Sequence, residues 1–283
     1  MILRLIPPIK IHCWGGLGSQ LYALALAIDL KHRFYTRKIE FVQHTSGVTK
    51  RNLEIDTSRF SSIVFKTIDD FSNDSTSLIA KTSFRKILST ILKNCLAFLG
   101  FLSSANNNLE FNSIRAWVLT IRGHYSYRTL NIDFYRILVD YFDLTSAKNK
   151  ISENPIIGVH YRLGDLLSLS EKAPIAVNEV IDSIMRARSK YIDAQVLVFS
   201  DSPDKAKDLL IPNLKDSFIQ FIDRSTLSVI NECVNADYFI GTNSKISIWI
   251  FNLRCHLGHG KNSEIYGFDQ PHLSIRLLKE SSQ

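Results

Sequence analysis

The chain contains no C-x-x-C pair; Cys13, Cys95, Cys233 and Cys255 stand far apart. That spacing excludes a zinc ribbon and a disulfide scaffold and fits a reducing compartment. The densest set of metal-ligating side chains is Cys255, His256 and His259 in CHLGH. No companion cluster accompanies it, so no metal centre is expected. There is no G-x-G-x-x-G fingerprint and no G-K-[ST] after a glycine loop, which argues against a plain nicotinamide oxidoreductase and a P-loop nucleotidase. Recognition-helix, RNA-binding and zinc-finger patterns are missing too. The formal net charge of +7 therefore points to a phosphorylated substrate or an anionic membrane rather than nucleic acid.

Uninterrupted apolar runs of membrane-spanning length, about 20 residues, are also lacking. MILRLIPPIK is too short and too proline-rich for a secretory leader. The longest apolar stretch, ILSTILKNCLAFLGFLSS at 87–104, is interrupted by Lys93 and Asn94. It is expected to be a core helix of the first domain, with a helix lying on a lipid surface as the alternative.

What the chain does have is globular composition, 45% hydrophobic and 22% charged over 283 residues, enough for two domains. IKIHCW (9–14) reads as a buried strand, SQLYALALAIDLKHRF as the helix after it, and IEFVQH (39–44) as a second strand. A strand within NSIRAWVLTIRGHYSY and an amphipathic helix over 130–144 complete the legible part of the first half. TSAKNKISENP (145–155) reads as a linker, placing the domains at 1–150 and 151–283. Beyond it strands and helices alternate: strands at 156–162, 194–201, 217–223, 237–243 and 264–269, with helices between them. This rhythm predicts an α/β domain with a parallel sheet covered on both faces.

Ligands of open α/β sheets sit beyond the carboxyl ends of the strands, which selects four places. The first is the turn WGGLGSQ, where Gly15, Gly16 and Gly18 precede a helix; such a turn presents backbone N–H groups and a positive helix end to a phosphate or sugar oxygen. The second is HYRLGD. Strand alternation puts His160 and Arg162 on one side with Tyr161 opposite, and an arginine there can fork onto phosphate oxygens. Asp165 follows, able to pair with the arginine or act as a base. The third is SDSP, where Asp201 can accept hydrogen bonds from a base or ribose or belong to a helix cap. The fourth is TNSK, where Asn243 and Ser244 start a helix as a cap or an anion site. Trp249, inside that helix, is expected in the core.

Taken together, the quoted residues resemble the bacterial α-1,2-fucosyltransferases and the wider fucosyltransferase superfamily. GGLGSQ resembles the family's G-G-L-G-N-Q, GHYSYRTL its G-Y-x-Q-S-x-x-Y-F, and HYRLGD its H-x-R-R-G-D. FSDSP resembles F-S-D-D-P and NSKISIW its N-S-x-x-S-x-W. The five segments keep the family's order from residue 15 to 249. The resemblance implies a GT-B architecture, two Rossmann-like domains with parallel sheets facing across a cleft, the first serving the acceptor and the second the nucleotide sugar. It implies an inverting glycosyltransferase that needs neither metal nor cofactor. Arg162 would grip the donor diphosphate with His160 beside it, Asp201 would face the nucleoside, and Ser244 and Ser247 would line the phosphate and nucleoside pocket. Gly15, Gly16, Gly18, Ser19 and Gln20 would close over the sugar and diphosphate. Asp165 and Glu171 are the candidates for the base.

Three positions depart from the pattern: Ser19 stands where the family has asparagine, Leu163 where it has a second arginine, and Ser202 where it has a second aspartate. The donor expected is GDP-fucose, with a UDP-sugar such as UDP-galactofuranose as the alternative. A non-catalytic carbohydrate-binding protein is the further alternative, which the presence of His160, Arg162, Asp201 and Asn243 argues against. The expected setting is assembly of a surface polysaccharide (O-antigen or capsule) on a glycan acceptor, lipid-linked in one version. The expected location is the cytoplasm, with peripheral contact to an anionic membrane as a candidate.

Overall fold

The computed structural model describes residues 6–45, 50–69, 92, 94–105, 114–123, 130, 132–144, 154–167, 174–214 and 218–267. The chain divides into two compact units, Met1–Thr129 and Leu130–Gln283.

In the first unit, β1 (Ile9–Trp14) leads through the glycine turn into α1 (Leu17–Arg33), followed by β2 (Ile39–His44) and β3 (Ile63–Ile68). The strands β4 (Leu102–Ala105) and β5 (Thr120–Gly123) complete a sheet of order β3-β2-β1-β5-β4. Every pairing in it is parallel. Helix α1 is a Leu/Ala run buried continuously from Leu21 to Ala27; a helix apolar on all sides belongs inside a core. Lys31, His32 and Arg33 in its last turn complement the negative end of the helix dipole.

Of the stretch 87–104, residues 87–91 and 93 lie outside the described residues, and the rest departs from the core helix expected of it. Helix covers 94–98, but Phe98 is 87% and Leu99 52% exposed. The chain then turns at Gly100, φ +79°, a left-handed conformation that glycine adopts without strain. Its last residues form β4 instead. No described helix is long and apolar enough to cross a membrane.

The second unit opens with α2 (Ile132–Tyr141), whose Phe134 and Tyr135 pack on the fully buried Trp249 at ring separations of 5.9 and 6.2 Å. Asn231 donates to the carbonyl of Phe142 (2.6 Å). These contacts explain why the unit begins at Leu130, ahead of the 145–155 stretch. Then follow β6 (Ile156–His160), α3 (Val177–Lys190), β7 (Gln195–Phe199), α4 (Pro203–Leu214) and β8 (Ile219–Ile222). The unit continues through α5 (Thr226–Asn235), β9 (Tyr238–Gly241), α6 (Lys245–His256) and β10 (Ser263–Ile265). The expected parallel α/β arrangement is present, with strand order β10-β9-β6-β7-β8. One sheet face packs through Ile157, Val159, Val196 and Val198 against Val180 and Ile184 of α3 and Leu210 of α4.

Arg254 is fully buried in this unit. Its Nη1 donates to the carbonyls of Cys233, Val234 and Ala236 at the end of α5, and its Nε to Ser263 Oγ at 2.7 Å. One guanidinium thus ties α5, α6 and β10 together by occupying carbonyls that the helix end leaves open.

Candidate functional site

The second sheet reverses direction at β6. The chain runs to β7 and β8 on one side, then crosses to β9 and β10 on the other. Such a reversal opens a crevice at the carboxyl ends of the two diverging strands, and here those strands are β6 and β9. His160 ends β6, while Thr242, Asn243 and Ser244 follow β9.

The residues on either side of the reversal are joined. Thr242, fully buried, accepts the amide of Arg162 on its Oγ1 (2.8 Å), and its own amide donates to the carbonyl of His160 (3.1 Å). The Arg162 guanidinium emerges with its side chain 24% exposed and pairs through Nε with Asp201 Oδ2 at 2.9 Å. The other oxygen of Asp201 accepts the amides of Leu163 (2.9 Å) and Gly164 (3.0 Å). A β-carbon on Gly164 would collide with that carboxylate, so a glycine is needed for Asp201 to reach both amides. Asp201 therefore pairs with the arginine and fixes its loop, whereas the sequence offered Asp165 for the pairing and Asp201 for a nucleoside. Asp165 lies on the short 3-10 turn Gly164–Leu167; its side chain and all of Glu171 lie outside the described residues, as does most of GHYSYRTL.

His160 is buried and its Nδ1 lies 2.8 Å from Ser247 Oγ, itself wholly buried on the first turn of α6. Burial lowers the imidazole pKa to about 4, with the charge of Arg162 adding to the shift and that of Asp201 opposing it. At neutral pH the ring is uncharged, so of His160 and Arg162 only the arginine carries positive charge. Tyr161 points the opposite way, as alternation requires, and its hydroxyl donates to the carbonyl of Ile175 (3.1 Å).

Two helices begin at this edge. Ser244 caps α6, its Oγ accepting the amide of Ile246 at 3.1 Å, as its place after a strand predicted. Asn243 is half-buried beside Gly267, where a β-carbon would come within 2.9 Å of it. Ser202 immediately precedes α4, which starts on Pro203; proline suits the first helical position because its missing N–H has no partner there. Of the predicted donor-binding residues, His160, Arg162, Asp201, Ser244 and Ser247 thus gather on one edge. Thr242 belongs with them and was missed, because nothing in GTNSK marks which residue would reach across to the neighbouring strand.

In the first unit the glycine turn is held by the chain's own side chains. Gly15 has φ +102°, the left-handed conformation expected of it. Its carbonyl accepts from the side-chain amides of Gln20 and Gln43, both at 3.1 Å. Gln20 is fully buried, donates also to the carbonyl of Asn52 (2.8 Å) and accepts the amide of Glu54 (2.9 Å). It braces the turn from beneath. At the start of α1, the amide of Leu17 donates to Glu54 Oε1 at 3.0 Å, so one N–H of the helix start is taken by the chain's own carboxylate. Gly16 caps α1 without a side chain, Gly18 is buried in its first turn, and the amide of Ser19 returns to the carbonyl of Gly16 (2.9 Å).

The carboxyl ends of β1 and β2 also carry a ring cluster that the sequence did not single out. Nδ1 of His12 lies 2.7 Å from Nε2 of His44, and the Trp14 indole stacks on His44 at 4.4 Å between centroids. Each residue reads alone as an ordinary strand residue; only the register Trp14↔His44 assembles them.

No protein-family model matches the chain, and no curated protein matches it. Solved structures similar to it include POFUT1 in complex with GDP, with TM-score 0.46 and 13% identity over 93% of this chain and 99% of that one. Another is the E. coli heptosyltransferase WaaC with ADP-2-deoxy-2-fluoro heptose, with TM-score 0.44 and 10% identity over 98% and 100% of the two chains. A third is the UDP-GlcNAc 2-epimerase from Neisseria meningitidis bound to UDP-GlcNAc, with TM-score 0.46 and 10% identity over 97% and 92%.

Proposed function

We propose that the chain is a glycosyltransferase that takes its sugar from a nucleotide donor whose diphosphate lies at the β6–β9 edge of the second unit. The observation that carries this reading is Arg162, a partly exposed guanidinium aimed by Asp201 beside the strand reversal, with the capped start of α6 nearby. In the transfer, an acceptor hydroxyl attacks the anomeric carbon, the bond from that carbon to the diphosphate oxygen breaks, and the nucleoside diphosphate departs with the electron pair. A fixed guanidinium and a helix start placed where this charge develops stabilise the transition state without rearranging. Neutral His160, held by Ser247, supports the strand end that carries the arginine. The proton of the hydroxyl needs an acceptor, and Asp165 and Glu171 are retained for that role.

In this reading the second unit serves the donor and the first the acceptor, with GDP-fucose as donor and a polysaccharide hydroxyl as acceptor, lipid-linked in one version. The alternative donor is a UDP-sugar, favoured by Ser202 and Leu163 standing where the related motifs carry a second aspartate and a second arginine. The test is a thermal-shift series with GDP, UDP and their sugars, since a ligand of the native state raises its melting temperature. A rise with GDP-fucose, lost in Arg162→Ala and kept in excess chelator, is the expected result. No rise with any nucleotide would overturn the reading, and a rise with UDP alone would replace the donor.

A further inference from the structure

Among the described residues, those around the 94–98 helix present large apolar side chains outward. Phe98 is 87% exposed, Leu99 52%, Leu92 58% and Trp117 50%. Two of them meet across 18 positions of sequence: the Trp117 indole donates to the carbonyl of Leu99 at 2.9 Å. The guanidinium of Arg115 lies over the same indole, 5.4 Å from its centroid. Gly100 makes this crowding feasible, because a β-carbon there would approach Arg115 Cδ to 2.8 Å and the indole nitrogen to 3.1 Å. Large apolar side chains held outward together mark an interaction site rather than chance exposure.

Charge identifies the partner. Between Asp74 and Asp133 the only acidic residue is Glu110. In the sequence Lys81, Arg85 and Lys86 precede these residues, Lys93 and Arg115 fall among them, and Arg122 and Arg128 follow. Nearly all of the chain's net charge of +7 is thus concentrated in the segment that carries the exposed rings. Exposed apolar residues within a stretch of sequence this cationic and this poor in acid complement an anionic bilayer: phenyl and leucyl groups enter the acyl boundary, indole settles at the headgroups, and the Arg115 guanidinium over that indole meets a lipid phosphate.

We infer that the surface formed by Leu92, Phe98, Leu99 and Trp117, with Arg115 beside it, docks the protein on an anionic lipid surface. The inference does not rest on the glycosyltransferase reading; either can fail alone.

The test is co-sedimentation of the full chain with vesicles of phosphatidylcholine alone or mixed with phosphatidylglycerol. Binding to the anionic vesicles only is expected. It should weaken as salt approaches about 1 M, where the screening length falls to about 3 Å. Phe98→Ser with Leu99→Ser should reduce the bound fraction at least about fivefold, since burial of these groups in the boundary adds to the electrostatic attraction. Their exposure predicts an unchanged melting temperature, which separates lost docking from lost folding. A blue shift of tryptophan emission on anionic vesicles, absent in Trp117→Phe, is the second readout. Equal sedimentation with neutral vesicles, no sedimentation at all, or full binding by the double variant would each overturn the inference. So would concentration-dependent self-association, abolished by the double variant, in place of vesicle binding.

Discussion

Asp201 and Arg162 form a unit in which one carboxylate does two things: Oδ2 holds the arginine Nε at 2.9 Å, and Oδ1 holds the amides of the next two residues. The side chain and the loop that carries it are therefore fixed by the same group. Neither is deeply buried, with side-chain exposures of 24% and 30%, so the pair adds little to stability. Its value lies in aiming a guanidinium at the sheet edge.

Replacing that guanidinium separates function from folding. Arg162→Ala should reduce transfer by about 10²- to 10³-fold, the range for losing one fixed donor to a developing anion. Its melting temperature should stay close to that of the parent. Arg162→Lys should recover little, because an ammonium cannot hold Asp201 and fork onto a phosphate together. Turnover assays beside thermal melts check both; near-normal turnover in the alanine variant would remove the proposed clamp.

Gly164 gives a steric test of the same unit. A methyl group there would strike the Asp201 carboxylate, which is held by Arg162 and two amides and has little freedom to yield. Gly164→Ala should destabilise by about 1–3 kcal/mol, typical of overpacking at a fixed site, and should weaken nucleotide binding. Combining it with Asp201→Ala should relieve the clash and restore part of the stability without restoring binding. Urea titrations of the two single variants and the double variant measure the coupling.

His160 makes a prediction in pH. Its folded pKa is about 4 against an ordinary 6.5, so between those values the unfolded chain binds the proton that the folded chain refuses. Stability then rises with pH across this window and is lost progressively as pH falls from 6.5 towards 4. The contribution is at most about 3 kcal/mol for a shift of this size. His160→Gln, which keeps a polar group for Ser247, should flatten the profile in that window. An unchanged slope in the variant would mean that other groups carry the acid sensitivity.

The second unit was legible in the sequence because its strands and helices alternate with short connections, and because His160, Arg162, Asp201 and Ser244 all fall where strands end. Their partners were not legible. That Asp201 would take Arg162, or Thr242 the amide of Arg162, depends on which strands become neighbours, and strand order leaves no local mark. The same holds in the first unit, where Glu54 reaches the start of α1 across 37 positions of sequence and His44 reaches His12 across 32. At Leu92, Phe98 and Leu99 the apolar composition predicts burial that the fold does not give them, because composition does not say whether a second surface exists to bury it.

Gln20 draws that difference most sharply. By motif it belongs over a bound sugar; in the fold it lies beneath the glycine turn, fully buried, with hydrogen bonds to Gly15, Asn52 and Glu54. Gln20→Leu keeps the approximate volume and strands the amide of Glu54, the one donor in this set that relies on the glutamine oxygen. Since a buried polar group left without a partner costs about 1–3 kcal/mol, the variant should lose about 2 kcal/mol or more of stability. Glu54 would then be less firmly placed against the amide of Leu17, so the turn itself should loosen, read as faster amide exchange at Gly16 and Leu17. A direct contact with the sugar predicts the opposite pattern: an unchanged melt with a large loss of turnover. Measuring both quantities on one preparation of the variant decides between the scaffold and the ligand role.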